Sequence, residues 1–258
     1  MNMDERIKRI NELYHKSQKE GLSPEEKAEQ KKLRDEYIAS IRNGLRAQLD
    51  NIDIKEKDGS ITNLGEKYGN RKNELRKEAL KKRASLSYEY MSEASEKITE
   101  KLTGLKEYKS AQNIFLYASV QGEADTKALT DRCIKDGKAV FFPKCRVSDA
   151  GNELDFYRVN DPSADLIKGY KDIPEPDSEK LSKYDGDPDI IVVPGVCFDS
   201  ELNRMGHGKG FYDRFLNGKK VLKIGLCFEE LLLPHVFNDD FDVKMDMVIT
   251  EQRIITDE

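Results

Sequence analysis

The residues best suited to chemistry lie close together: Asn203-Arg204-Met205-Gly206-His207-Gly208-Lys209-Gly210-Phe211-Tyr212-Asp213-Arg214. Glycines alternate at 206, 208 and 210. Glycine reaches positive φ without a Cβ penalty, so such a run can turn successive backbone N–H groups toward one anion. A helix predicted from about residue 209 adds the partial positive charge of its N-terminus. Lys209 adds a full charge, and the group this loop suits is phosphate. Asp213 offers a hard oxygen to Mg2+, which prefers carboxylate and water ligands. By pattern alone the stretch also suits a tight strand-to-helix turn, with Asp213 serving as a helix-start acid. Two other phosphate loops are excluded. A P-loop needs GxxxxGK[ST], but Asn203 holds the first glycine's place and Gly210 follows Lys209; the dinucleotide pattern GxGxxG fails because 206–211 reads GHGKGF.

A second group lies at 71–84, predicted helical, where Arg71, Lys72, Arg76, Lys77, Lys81, Lys82 and Arg83 face only Glu74 and Glu78. Lys72 and Arg76 are four apart and share a helix face, which suits an anion or a solvated basic surface equally. Cys133, Cys145, Cys197 and Cys227 form no CxxC pair, which argues against zinc and a disulfide framework and fits a reducing cytoplasm. Cys197 reads as buried packing, and His15 and His235 as structural. The net charge of -5 argues against a general nucleic-acid binder. No run approaches the roughly 18 apolar residues of a membrane helix, and MNMDERIKRI lacks a secretory apolar stretch. A cytoplasmic location is expected.

The elements that must position these residues divide the chain. Residues 1–57 hold 13 Lys+Arg and 12 Asp+Glu, against 31 and 37 in the rest. Apolar residues make up 37% of the chain, which is low for one packed globule and predicts a solvated segment. The first segment reads as two helices. Ile7, Ile10, Leu13 and Tyr14 form one stripe, and Leu33, Tyr37, Ile41, Leu45 and Leu49 the other. Between them Gly21 breaks the pattern, and Ser23-Pro24 with Glu26 forms a capping box with proline at the first helical position. The result is an antiparallel hairpin, 1–57, expected to self-associate or dock. Residues 58–70 read as a polar linker. From 71 strands and helices alternate, which predicts an α/β fold with a mainly parallel sheet. Its signals are a helix over 88–103 capped by Ser87, a strand at 114–117, a helix begun by Asp125 or Thr126, a strand 139–142 ended by Pro143, and an alternating edge strand at 154–157. The β-branched run Ile190-Ile191-Val192-Val193 suits a buried central strand. A strand near 221–227 and a last strand near 246–250 follow.

With these motifs in view, residues 71–258 resemble the 5-formyltetrahydrofolate cyclo-ligase family, also called 5,10-methenyltetrahydrofolate synthetases. The resemblance rests on Lys72-Asn73-Glu74-Leu75-Arg76, Lys82-Arg83 with Leu86-Ser87, Phe115-Leu116 with Glu123, Pro143-Lys144, Ile173-Pro174-Glu175-Pro176, Val192 to Val196 with Phe198-Asp199, and the glycine motif. Residues 1–57 resemble a different family, the small YnzC-like bacterial proteins, through Arg9 to Leu13, Glu20 to Leu22, Glu25 to Arg34 and Leu49 to Ile52.

The first resemblance implies a three-layer α/β sandwich (domain 71–258) and an ATP- and Mg2+-dependent closure of 5-formyltetrahydrofolate to 5,10-methenyltetrahydrofolate. It implies an ATP site of Lys72, Arg76, Arg204, Gly206, His207, Gly208, Lys209, Gly210, Phe211 and Tyr212. Lys209, Arg204 and Asp213 would act on the reacting groups, and Asp213 and Asp242 would hold Mg2+. Glu123, Gly208, Lys209, Gly210, Phe211 and Pro174 would contact the folate. Outside the resemblance, Glu123 reads as an ordinary loop glutamate and IPEP as a turn. His207 lies where relatives vary, and Phe211 stands where many have tyrosine. The alternatives are another small-molecule phosphotransferase on the same fold, or a chain that mainly docks a partner through its hairpin.

Overall fold

The computed structural model describes residues 3–30, 32–34, 37, 52–55, 57–120, 122–148, 151–239 and 241–257. The chain divides into two compact units, Met1–Arg71 and Lys72–Glu258.

In the first unit the helix Met3–Lys19 is followed by a second helical stretch from residue 24. The capping box forms as its spacing predicts: the Glu26 N–H donates to Ser23 Oγ at 3.2 Å and the Ser23 N–H to Glu26 Oε2 at 3.0 Å. Leu13 and Leu33 are buried, and Arg9 and Lys16 reach across to Glu29 and Glu26. Tyr14, expected in the apolar stripe, is 48% exposed. Ile41, Leu45 and Leu49 lie outside the described residues.

The end of the expected helical hairpin holds a strand, and the expected linker contains regular structure. Strands Asp53–Lys55 and Ile61–Asn63 pair antiparallel around a turn in which Asp58 Oδ1 accepts from the Ser60 N–H at 2.9 Å. This is an Asx turn, a side chain mimicking a backbone turn. A helix then runs over Leu64–Ala84, seven residues ahead of the predicted start at 71. The polar, glycine-containing sequence 64–70 carries no apolar period to announce it.

The second unit is built on an eight-stranded sheet in the order Ile254–Thr256, Met247–Ile249, Leu222–Leu226, Ile190–Val193, Asn113–Phe115, Ala139–Ser148, Gly151–Val159, Lys183–Tyr184. The strands from Met247–Ile249 through Ala139–Ser148 pair parallel, and both margins are antiparallel. Ile190–Val193 is buried at every position in the middle, as its β-branched run predicts. Helices Tyr88–Gly104, capped by Ser87, and Lys127–Lys135 bury Ala94, Ile98, Leu102, Leu129 and Cys133 into the core. The short helix Phe211–Leu216 sets Phe215 against Phe156, ring centroids 4.8 Å apart, and Phe115 stacks on Phe156 at 4.1 Å. The architecture is the expected α/β sheet with covering helices.

Three expectations are corrected. The strand from Ala139 runs through Pro143 to Ser148. Its parallel neighbour ends opposite Phe141, so beyond it only Gly151–Val159 pairs with this strand and a missing N–H is tolerated. The strand read as an edge, 154–157, spans Gly151–Val159 and is itself covered by Lys183–Tyr184. The strand Met247–Ile249 is followed by a further one, Ile254–Thr256, after a turn in which Thr250 Oγ1 accepts from the Arg253 N–H at 3.0 Å.

Candidate active site

A small second sheet carries the glycine loop. Its strands, Arg204–Met205, Cys197–Asp199 and Leu232–Leu233, leave the loop 206–210 projecting from one end. Asp199, fully buried, anchors this sheet. Its carboxylate accepts from the N–H groups of Glu201, Asn203 and Val236 and from Asn203 Nδ2, at 2.8–3.0 Å. Burial pushes the Cys197 thiol up to about 12, so it is packing rather than a nucleophile.

The helix Leu64–Ala84 packs on this sheet through Ala79, fully enclosed with Val196, Cys197 and Met205. That contact sets Lys72 and Arg76 at the loop. Arg76 Nε donates to the Gly206 carbonyl at 2.9 Å. Lys72 Nζ pairs with Asp239 Oδ2 at 3.0 Å and with Asp242 Oδ2. The two cations share one face, as their spacing predicts, and both are part-buried rather than freely solvated.

Arg204 lies within the protein, its side chain 4% exposed. It donates to Asp213 Oδ1 at 2.7 Å and to the Pro194 carbonyl at 3.1 Å. Its Nε is buried with no hydrogen-bond partner among the described residues. A buried donor without a partner is exceptional in a folded protein, and a bound oxygen is one group that can satisfy it. Tyr212 places its ring 5.8 Å from the same guanidinium. Burial raises the Tyr212 hydroxyl well above its usual range, so it stays protonated at working pH.

Gly208 and Gly210 have φ of +81° and +67°. The intervening Lys209 carbonyl accepts from Asn152 Nδ2 at 2.9 Å and from Arg214 at 3.0 Å. These two contacts pin the loop; Arg214 belongs to the glycine motif, whereas Asn152 lies 57 residues away and carries no signal in the sequence. The Lys209 ammonium has no carboxylate within ion-pair distance among the described residues. The helix after the loop is short, Phe211–Leu216, so its dipole is small and the positive field comes from side chains.

Asp213 and Asp242 approach each other through the backbone: the Val243 N–H donates to Asp213 Oδ1 at 3.3 Å. Asp242 Oδ2 also accepts from the Asp239 N–H at 2.7 Å. Each carboxylate keeps its other oxygen without a hydrogen bond among the described residues. Two hard oxygens fit Mg2+ when phosphate oxygens and water supply the remaining ligands. Among the described residues no three His, Cys, Asp or Glu side chains gather as a metal cage.

Glu123 lies 3.4 Å from Arg83 and 3.9 Å from His207 of the loop. Its other oxygen accepts from the Val120 N–H at 3.1 Å. His207 is half exposed at this end. Phe211 faces Tyr170 with centroids 5.9 Å apart. Tyr170 belongs to the connection between the antiparallel strands Leu166–Lys168 and Pro174–Pro176. Pro174 itself is exposed.

Fold and loop together place the chain among α/β proteins that hold a glycine-rich turn beside a largely parallel sheet. Comparison with known proteins supplies the family. A family profile described as the 5-formyltetrahydrofolate cyclo-ligase family matches residues 68–251, and one described as a bacterial protein of unknown function (DUF896) matches residues 5–64. A probable 5-formyltetrahydrofolate cyclo-ligase of Schizosaccharomyces pombe is 31% identical over 201 residues, covering 72% of this chain and 97% of the relative. The solved 5,10-methenyltetrahydrofolate synthetase of Aquifex aeolicus superposes with a TM-score of 0.63 at 36% identity, covering 72% of this chain and 92% of that one. A UPF0291 protein of Lachnospira eligens is 43% identical over 82 residues, covering 32% of this chain and 98% of its own. The chain belongs to the 5-formyltetrahydrofolate cyclo-ligase family and carries a segment similar to the second family ahead of it.

Proposed function

We propose that the chain converts 5-formyltetrahydrofolate and ATP to 5,10-methenyltetrahydrofolate, ADP and phosphate, with Mg2+. The observation that carries this reading is the convergence of Arg76, Arg204 and Lys209 on a left-handed glycine loop, with a buried Arg204 Nε left to donate. The N5 formyl group is amide-like and a poor electrophile. Its oxygen attacks the γ-phosphorus as the bond to the β-γ bridging oxygen breaks and ADP leaves. N10 then attacks the formyl carbon, loses its proton, and the C–O bond breaks to release phosphate. The protein's part is to position two substrates and spread the triphosphate charge. Arg204 and Lys209 act on the transferred phosphoryl group, and Lys72 and Arg76 hold the nucleotide with Gly206, His207, Gly210 and Tyr212. Asp213 and Asp242 hold Mg2+, which neutralises phosphate charge. Glu123 accepts from the pterin N–H groups beside Gly208, Phe211 and Pro174.

The purified chain with MgATP and 5-formyltetrahydrofolate should develop the near-UV absorbance of the methenyl product. Absence of product would overturn the reading, and turnover surviving excess EDTA would overturn the metal requirement. Lys209→Ala removes a point charge worth about 1.5–3 kcal/mol in a charge-assisted contact, so kcat/KM should fall about 10–100-fold. Unchanged kinetics would put Lys209 in solvent only.

The segment 1–57 is read as an accessory module for association, in the cytoplasm, separate from catalysis by 71–258. Expressed alone, residues 66–258 should keep kcat/KM within about threefold of the full chain and change its size or solubility by light scattering. A folded truncation losing more than tenfold, about 1.4 kcal/mol, would mean that the first segment helps build the site.

A further inference from the structure

The basic helix does more than its two nucleotide residues require. Residues 72, 76 and 83 lie within about 40° of one another around the axis, since each residue advances about 100°. Residue 83 is displaced from 72 by about 16 Å along it. At one end Lys72 meets Asp239 and Asp242, in the middle Arg76 meets the Gly206 carbonyl, and at the far end Arg83 meets Glu123. Arg83 and Glu123 form an enclosed ion pair, with side chains 6% and 7% exposed. The turn before Glu123 is shaped around that guanidinium: a Cβ on Gly122 would come within 2.8 Å of Arg83 Nε. The Val120 N–H holds Oε2, leaving Oε1 toward Arg83 and toward His207 of the loop.

We propose that Arg83 is a positioning residue for the folate: it fixes the Glu123 carboxylate, charged and correctly turned, to accept from the pterin ring. The proposal rests on the cyclo-ligase reading. A buried carboxylate deprived of its cation is costly and reorients or loses its charge, so the effect of Arg83 reaches the substrate through Glu123. The helix thereby spans the site, serving nucleotide at one end and folate at the other.

The test uses the full chain and steady-state kinetics with each substrate varied in turn. Arg83→Met should raise KM for 5-formyltetrahydrofolate about 10–50-fold while KM for ATP and kcat at saturation stay within about twofold. Arg83→Lys should recover part of that loss. With Glu123→Gln already present, adding Arg83→Met should cost less than about twofold more. If the methionine variant does not fold, as judged by thermal melting, Arg83→Gln carries the same comparison. An unchanged folate KM, equal effects on both substrates, or additive losses in the double variant would each overturn the proposal. Wild-type turnover in the same assay reports on the reaction itself, so failure of the Arg83 arm is distinguishable from failure of the cyclo-ligase reading.

Discussion

Gly208→Val is expected to lower kcat/KM for ATP by more than about 100-fold in a protein that still folds. Gly208 sits at φ +81°, where a left-handed conformation costs an ordinary L-residue about 1–2 kcal/mol and a β-branched one more. A Cβ there would meet nothing nearer than the Arg76 guanidinium at 3.6 Å, so no core contact is lost. The strain therefore falls on the loop itself. Either the backbone rotates out of the left-handed region and its N–H groups swing off the phosphate, or it stays and two methyl groups stand where oxygen must approach. In the proposed reaction both routes remove stabilisation of the transferred phosphoryl group, and losing one well-placed donor already costs about 10²–10³-fold. Gly208→Ala, with no γ-branch, should lose less. Circular dichroism and thermal melting check the fold, and initial rates check the loop. A valine variant with near-normal rates would show that no ligand approaches this backbone.

What was legible in the sequence is local. Ser23, Pro24 and Glu26 specify a helix start within four residues, and the capping bonds form. The four β-branched residues at 190–193 have no polar face and can only lie in the middle of a sheet. The glycine loop announced itself because three residues in five lack a side chain. The unread parts depend on partners far along the chain. Pro143 reads as a strand end, and continues one because its parallel neighbour stops first. Asp199 is an ordinary aspartate in sequence, and its role appears once Val236, 37 residues on, folds back to donate to it. Arg83 is one of eight basic residues on its helix; burial against Glu123, 40 residues later, separates it from the rest. Asp58-Gly59-Ser60 did carry a readable turn signal, but three-residue strands on either side gave no period to attach it to.

Arg204→Met should show the largest combined effect, on stability and on rate. The side chain is enclosed and bonded to Asp213 and to the Pro194 carbonyl. Removing it strands a mostly buried carboxylate, and breaking such a pair costs about 3–5 kcal/mol. For a unit of this size each kcal/mol is worth about 2–4 °C in Tm, so a drop of at least about 6 °C is expected. The rate should fall about 10³-fold or more, because the orphaned Nε and the charge behind the loop vanish together. Stability and catalysis can then be separated with a second substitution. Arg204→Met combined with Asp213→Leu leaves no stranded charge, so Tm should recover much of its loss, as buried ion pairs replaced by apolar side chains often do. The rate should not recover, since in the proposed site phosphate would still lack its cation and Mg2+ would now lack a carboxylate. Arg204→Lys should keep part of the stability yet remain slow, because an ammonium cannot donate in three directions from one plane. Recovery of activity along with Tm in the double variant would show that Arg204 only braces the loop and that Asp213 holds no metal, and the phosphoryl group would then have to be neutralised by Lys209 and Arg76.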